Sequence, residues 1–554
     1  MTEFWNFFSK KKIYLLLFFV GIVIYGNALG NQLFWDDHDG IVNNTYIKDW
    51  QYLPNYFSEN LIAGAGLSSN YWRPTLLIVY AIEWQTWGLW SPGFHLVSIL
   101  THIFASFLIF KFFQLLTEKK WLAFFSALLF LVHPLQTEAV TYVSGLADPL
   151  STVFILFGLI YYLKRGQENI LWPVWFFFIL ALMTKEKALI VFPTLLALLE
   201  LTLFLQSKDS KVNFRAVRIW LLAKAKLLWP LFFIGIFYTL LRATSLNFQN
   251  TFNLYDEPNA YADSILVRTW TFLGIFPAYL GLIFGPFNLH MERLVQIEST
   301  FFSPPVVFGL LLLALLFFRA LSQIKKNPLS FFSLSWFLLC LLASSGIPAV
   351  SSGIMYEHYL YLPLAGFFLW LGLELESLTK YLKKPTLLKN LSIIFTLIFV
   401  FFLSVLTIRR NRVWKTPITL YENILRYNQT SLRVWNNLGM AYADTNQMEK
   451  AVWAYQKAIE LDPEKISAPP YHNLANALSA LGKNTEAITN YQEALRVNPN
   501  FTFSYGALSR LFLEEKKYTE AIAFFEDLRQ KSPANKDGIN ELLSLLKKAQ
   551  TKAQ

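Results

Sequence analysis

The chain has 554 residues, 55% hydrophobic and 17% aromatic but only 15% charged, with a formal net charge of +11. Soluble globular proteins are about a quarter charged; here the deficit is confined to residues 1–407, which excludes a purely soluble fold. The positive balance does not mark a nucleic-acid binder, because most Lys and Arg lie in short loops between apolar runs, where they set membrane orientation.

Lys10-Lys11-Lys12 precedes an uncharged apolar run over about 13–29. A signal peptide opens the same way, yet no clear cleavage site stands at Asn27-Ala28-Leu29-Gly30 and many spans follow, so a retained anchor is expected. Phe34-Trp35-Asp36-Asp37-His38-Asp39-Gly40 lies at the mouth of this helix, within a first outer loop over 30–92. Half-buried acids at a bilayer surface are costly, which makes Asp36 and Asp37 functional candidates rather than plain solvated residues. Further spans, each about 20 apolar residues, are expected near 93–115, 121–139, 149–163, 170–184, 188–205, 227–241, 304–320, 329–349, 357–375 and 387–407. The single cysteine, Cys340, falls inside one of them, so no intramolecular disulfide forms and redox chemistry is not expected.

One stretch, 265–287, is ambiguous because Pro277, Gly281, Gly285 and Pro286 interrupt it. If it does not cross and the N-terminus is cytoplasmic, the inside loops hold 20 Lys and Arg and the outside loops 11. The inside set includes Lys208, Lys211, Lys325, Lys326, Lys383 and Lys384, while Arg409, Arg410, Arg412 and Lys415 form a dissenting outside run. Letting 265–287 cross erases the bias, so eleven spans are expected, with 265–287 re-entrant or interfacial. That topology gathers Asp36 to Asp39, Arg73, His133 to Glu138, Asp148, Lys185-Glu186-Lys187, His290 to Arg293 and Tyr356-Glu357-His358-Tyr359 on one outer face. An enzyme with its site at that face fits this pattern. A channel or proton-coupled carrier would instead bury ionisable groups in mid-span.

From Trp435 the sequence repeats. Trp435, Leu438, Gly439 and Tyr442, completed by Ala451, Tyr455, Ala458 and Pro463, fit a tetratricopeptide repeat. Tyr471, Leu474, Ala487, Tyr491, Ala494 and Pro499 repeat it, as do Tyr505, Ala521, Phe525 and Pro533. Small Ala residues let paired helices approach closely, and Pro stops the second helix. The expected organisation is a membrane domain over 1–415, a half-repeat helix over 416–431, three repeats over 432–535, and a capping helix and tail over 536–554. Such a solenoid binds peptides or proteins, or serves only as a spacer.

The whole arrangement resembles the GT-C superfamily of membrane glycosyltransferases. In particular it is similar to the transmembrane and tetratricopeptide repeat-containing O-mannosyltransferases of the endoplasmic reticulum and their bacterial relatives. The resemblance is carried by Phe34-Trp35-Asp36-Asp37 with Ile41-Val42-Asn43-Asn44; Trp72-Arg73-Pro74; His133-Pro134-x-x-Thr137-Glu138-Ala139-Val140; Gly145-x-Ala147-Asp148; Lys185-Glu186; and Tyr359-Leu360-Tyr361-Leu362-Pro363. Two positions depart from it: Leu146 stands where eukaryotic members usually have Arg, and Glu357-His358 where they tend to have Glu-Arg. Sugar identity is left open by both.

The resemblance implies an all-α polytopic enzyme that takes a sugar from a polyprenyl- or dolichyl-phosphate donor. The acceptor is a protein or glycan outside the cytoplasm, and the anomeric carbon inverts. An acceptor hydroxyl that loses its proton on attack needs a carboxylate in reach; the motif makes Asp36 that base, with Asp37 in support. The leaving phosphate needs cations; Arg73, whose planar fork suits phosphate, leads Lys185 and His358. Arg73 could instead snorkel at the interface, and Lys185 could simply pair with Glu186. His133 reads equally as a satisfied histidine at a helix stop, while Glu138, Asp148, Glu186 and Glu357 orient cations. No cofactor is expected, although Asp36 to Asp39 could hold a divalent cation as in some GT-C members; consecutive residues seldom point at one ion. Rival functions are a non-catalytic scaffold working through its repeats, and a lipid-linked polysaccharide polymerase or ligase. The few repeats and the lack of a retention signal at Lys552-Ala553-Gln554 lean the expected location towards a bacterial inner membrane, with the repeats periplasmic.

Overall fold

The computed structural model describes residues 10–165, 170–206, 214–248, 260–347, 353–381 and 385–553, with backbone alone for 214–227, 379–381 and 385–393. Lys208, Lys211, Lys383, Lys384 and the last two positions of the expected span 329–349 lie outside the described residues. Among the described residues all regular structure is helical. The chain divides into two compact units, 1–415 and 416–554.

The first unit is a multi-pass helical domain. Among the described residues, seven of its helices are long and apolar enough to cross a membrane, or eight if the bent pair Lys120–Val132 and Pro134–Thr141 counts as one. Trp172–Leu182, Leu228–Ala243 and Pro328–Leu342 are shorter apolar helices. Among the described residues, length and composition thus single out seven or eight spans against the eleven expected, and the three shorter apolar helices fall within the expected spans 170–184, 227–241 and 329–349 give or take two residues. Helix Pro304–Gln323 shows what faces lipid: Phe308, Leu311, Leu315 and Phe318 form one exposed stripe at helical spacing. Its other side lies against helix Ile265–Phe284, with Gly309 backed onto the Leu273 carbonyl.

That contact corrects the expectation that proline and glycine interrupt 265–287. Ile265–Phe284 is one continuous helix through Pro277 and Gly281, ending at Gly285. Pro277 lacks the N–H that would bond the carbonyl four residues back. That carbonyl belongs to Leu273, where a neighbouring glycine leaves room for any distortion. Two other expected boundaries also move. The expected span 121–139 breaks at His133, where the chain turns extended before Pro134 and the next helix leaves at 57°. The expected span 357–375 begins later, because Glu357–Leu360 is a 3-10 turn and the helix starts at Pro363.

Helix Ser91–Thr117 is the hub, packing on Lys120–Val132 and Ala147–Lys164. Trp336, fully buried, lies against Phe112, Phe113 and Phe332 and donates from its indole N–H to the Leu362 carbonyl at 3.0 Å. The Tyr361 hydroxyl bonds His102 Nδ1 at 2.7 Å. Together these anchor the turn that carries Glu357 and His358.

The second unit is the repeat array. Helices Leu432–Asp444 with Met448–Glu460, Ala468–Ala480 with Asn484–Val497, and Phe503–Glu514 with Tyr518–Lys531 form the pairs. A Cβ on Gly439 would meet the Tyr455 ring at 2.5 Å, and Ala451, Ala458, Ala487 and Ala494 are fully buried, so small residues set the close helix approach. Helix Lys536–Ala553 buries Ile539, Leu543 and Leu546 on one face and leaves the other polar, as a terminal cap does.

Candidate functional site

The loop after the first helix has a small core of its own. Asn44 staples it: Nδ2 donates to the Gly40 and Leu61 carbonyls at 3.3 and 3.1 Å, and Oδ1 accepts from Tyr46 N–H at 3.1 Å. Ile41, Tyr56, Leu76, Tyr80, Val143 and Leu146 pack beneath it. Leu146 is therefore core, which explains physically why an apolar residue suits this position.

Within this frame the two aspartates separate. Trp35 has φ 59°, a left-handed conformation rare outside glycine, and His38–Val42 forms a π-turn. Asp37 is turned inward: Oδ1 accepts from Ser144 Oγ at 2.6 Å and Ser144 N–H at 2.8 Å, and Oδ2 accepts from Phe34 N–H at 3.4 Å. Burial pushes its carboxyl up to about 7 against these bonds. Asp36 is exposed, and its N–H donates to the Tyr142 hydroxyl at 3.1 Å. Tyr142 also hydrogen-bonds the Asp36 side chain; burial first, then both carboxylates, raise the phenol well above its ordinary value. Its ring stacks on Trp414. Beneath, Asn411 ties the last helix to the first through the Ile24 carbonyl at 2.9 Å, and accepts from Thr141 Oγ1 at 2.9 Å.

Ser144 stands four residues before Asp148, at the start of helix Ala147–Lys164. Between them Gly145 lies against backbone: a Cβ there would be 2.7 Å from the Glu138 carbonyl and 3.0 Å from the Ala139 Cα. Only glycine lets the aspartate-binding turn seat on 137–141.

Arg73, Lys185, Arg293 and Arg410 are each matched to an acid. Arg73 grips Glu186 through Nε and Nη2, at 2.9 Å for the shortest contact, and its guanidinium lies 4.4 Å from the Tyr71 ring centroid. Thr75 N–H donates to the Met183 carbonyl at 3.1 Å and docks the two segments. Burial alone would raise Glu186, but Arg73 holds its carboxyl below the usual range. Lys185 Nζ lies 2.5 Å from Asp148 Oδ2; burial lowers the ammonium despite that partner. The Lys–Glu pairing of adjacent residues is thus not what forms. His358 donates its N–H to Glu138 Oε2 at 3.1 Å, and its Nδ1 lies 2.8 Å from Oε1. Burial, then Lys185, keeps the imidazole well below its ordinary value and hence neutral. Glu357, fully buried, is clamped by Arg293 at 2.9 Å and Arg410 at 3.3 Å.

Lys185 and His358 line one cleft with Asp148, Lys187 and Tyr359, and helices Ala147–Lys164, Ala188–Gln206 and Pro328–Leu342 supply its apolar walls. Its volume is about 400 Å³ including the open mouth. Arg73, Glu186, Asp36 and Asp37 are not among its lining residues. Tyr80 links the groups: burial and then the Asp37 carboxylate raise its hydroxyl, and Arg73 opposes. His133 stays outside the cluster. Its Nδ1 accepts from Leu135 N–H at 3.3 Å and its Nε2 bonds the Ile283 carbonyl at 3.0 Å, the geometry of a satisfied histidine at a helix stop.

The acidic run does not fit a divalent cation. Asp37 is committed to Ser144 and Phe34, and among the described residues no three His, Cys, Asp or Glu side chains converge. Sequence reading missed Tyr142 and Ser144, and placed Lys187, Arg293 and Arg410 on the outer side without giving them a role. Lys187 and Arg293 carried a signal as members of the polar outer-face set, and Arg410 as a charge on the unexpected side.

Fold and site together describe a multi-pass membrane protein with a tetratricopeptide tail and an acid- and cation-lined face. The tetratricopeptide-repeat family matches residues 430–500 and 472–536. A protein O-mannosyl-transferase of Caenorhabditis elegans is 28% identical, covering 81% of this chain and 62% of the relative. The protein O-mannosyl-transferase TMTC3 of Homo sapiens is 25% identical, covering 94% and 61%, and human TMTC4 is 24% identical, covering 79% and 64%. The homologues of this chain are TMTC-type protein O-mannosyl-transferases, and its repeats and apolar helices agree with that type. The chain spans about three-fifths of the length of these curated relatives. They are animal proteins and bear on the type of protein, not on the source of this chain. A solved structure of the APC/C hetero-tetramer Cut9–Hcn1 covers 85% of this chain and 89% of its own at 14% identity, with a TM-score of 0.21 that carries no argument.

Proposed function

We propose that the protein is an inverting glycosyltransferase that moves a sugar from a polyprenyl-phosphate donor to a hydroxyl of a protein acceptor at the non-cytoplasmic face. The observation that carries this reading is the division of labour at the site. An exposed carboxylate, Asp36, is presented by a loop whose buried partner, Asp37, is fixed by Ser144. A cation-lined cleft with apolar walls lies across the same unit.

The acceptor oxygen attacks the anomeric carbon while its proton passes to Asp36, and the bond from that carbon to the phosphate oxygen breaks with its electron pair on the phosphate. Tyr142, bonded to Asp36, orients the base. Asp37 positions the loop. Arg73, Lys185 and His358 supply the donor side: Lys185 and Arg73 give positive potential, and neutral His358 can offer a hydrogen bond. Glu186, Asp148, Glu138 and Glu357 hold these cations and the turn in place. Such preorganised groups stabilise charge developing on the leaving phosphate.

The paired charges also support the sidedness. Glu357 and His358 precede helix Pro363–Tyr381, while Glu374 and Glu376 near its other end meet Arg319 at 2.5 Å and Lys119 at 2.8 Å. Glu374 and Glu376 lie 11 and 13 residues past Pro363, about 17–20 Å along the axis towards the opposite surface. The site belongs to the less basic, outer side, with the N-terminus cytoplasmic.

Mass spectrometry of non-cytoplasmic proteins and glycans with and without this gene tests the reading. Loss of one hexose on defined proteins is expected; altered glycan chain length with intact glycoproteins would favour a polysaccharide polymerase or ligase. No change in either would leave the scaffold reading.

A further inference from the structure

Three of the basic side chains named above for the donor side are spoken for. Arg73 is held by Glu186 and is not among the cleft-lining residues, Lys185 is held by Asp148, and His358 is neutral and held by Glu138. Lys187 differs. Its side chain lines the cleft and is 8% exposed, yet among the described residues Nζ has no hydrogen-bond partner. It lies 3.4 Å from the Tyr359 ring centroid, a cation–π seat that holds the ammonium without using its three donors.

A buried ammonium with no acceptor is expensive. Burial, then Lys185, drives its proton affinity well down, so an arriving anion would be rewarded with a fully formed charge-assisted bond. The walls beside it are apolar: Ile155, Val191 and Cys340 come from three different helices. An anion with a greasy tail suits this shape, and a free anion uses only one end of it.

We propose that Lys187 is the residue that directly binds the phosphate of a polyprenyl-phosphate lipid, with Tyr359 seating the lysine and Ile155, Val191 and Cys340 taking the first isoprene units. This rests on the glycosyltransferase reading for its meaning, though not for its geometry. The donor phosphate is a diester with one negative charge, and departure of the sugar leaves a monoester carrying nearly two. The contact therefore strengthens as the bond to the sugar breaks, and that difference lowers the barrier.

The test is binding to the full-length protein in detergent, measured for farnesyl phosphate, farnesol and inorganic phosphate. Wild type should bind farnesyl phosphate at least ~10-fold more tightly than either other probe. Lys187→Met should lose that ~10-fold advantage while keeping its farnesol affinity, and Lys187→Arg should retain most of it. Val191→Trp should weaken both prenyl probes and leave inorganic phosphate unchanged, which keeps the idea testable should Lys187→Met not fold. Unchanged farnesyl phosphate binding in Lys187→Met overturns the assignment, as does inorganic phosphate binding as tightly as the prenyl ester in wild type. The binding test does not involve transfer, so a wild type that binds farnesyl phosphate through Lys187 but moves no sugar in a separate transfer assay would defeat the glycosyltransferase reading alone.

Discussion

Replacing Ser144 by alanine isolates the contact that holds Asp37. The hydroxyl donates at 2.6 Å to a fully buried carboxylate, beside the Ser144 N–H that the variant keeps. A hydrogen bond to a charged group contributes about 1.5–3 kcal/mol, and a neutral one about 0.5–1.5 kcal/mol. Asp37 titrates near pH 7 in the fold, above the value near 4 of an unfolded aspartate. The native state thus binds the proton more tightly. The stability this contributes is fully present below pH 4 and lost as pH rises to 7. Ser144→Ala destabilises the ionised form more than the protonated one, so the variant's carboxyl moves higher by about 1 pH unit, at 1.36 kcal/mol per unit. Thermal unfolding of both proteins at pH 5 and pH 8.5 reads this directly. The loss of midpoint in Ser144→Ala should be roughly twofold larger at pH 8.5. Equal losses at both pH values would refute a charged Asp37 as the partner of Ser144.

Gly145→Ala should cost about 1–3 kcal/mol, because its methyl meets the backbone of Glu138 and Ala139 and cannot be relieved by a rotamer change; a thermal midpoint equal to wild type would contradict this. Glu357→Gln should be worse, about 3–5 kcal/mol, since Arg293 and Arg410 lose their shared anion inside the protein. Size-exclusion profiles of Glu357→Gln should show loss of monodisperse protein, partly restored when Arg410→Met is added. Arg73→Lys keeps the charge but not the two-point grip on Glu186; sugar transfer should fall about tenfold with normal expression, and an unchanged rate would remove Arg73 from the site.

The repeats are readable in the sequence because their packing is local: Ala451 and Tyr455 sit in the helix after Gly439, 12 and 16 residues on. Asp36 and Asp37 are readable because a charged pair beside an uncharged helix is anomalous wherever the fold takes it. The partners are not. Arg73 and Glu186 lie 113 residues apart, Asp37 and Ser144 lie 107 apart, and no periodicity joins them. Lys185 finds Asp148 rather than its neighbour Glu186, because consecutive residues at a helix start point in different directions. Pro277 misled for the opposite reason: the rule that proline breaks a helix holds for an isolated helix, whereas here the freed Leu273 carbonyl faces a glycine on the neighbouring helix. Arg410 looked like a misplaced basic residue until Glu357 gave it a partner.

The central claim is that Asp36 takes the acceptor proton during sugar transfer. Reconstituted protein given a radiolabelled polyprenyl-phosphate mannose and a protein acceptor measures this in a single turnover, for wild type and for Asp36→Asn. The account predicts transfer by wild type, and a loss of at least ~10²-fold in the variant, the scale of a missing general base, with insertion and thermal midpoint unchanged. Wild-type rates in Asp36→Asn would contradict it.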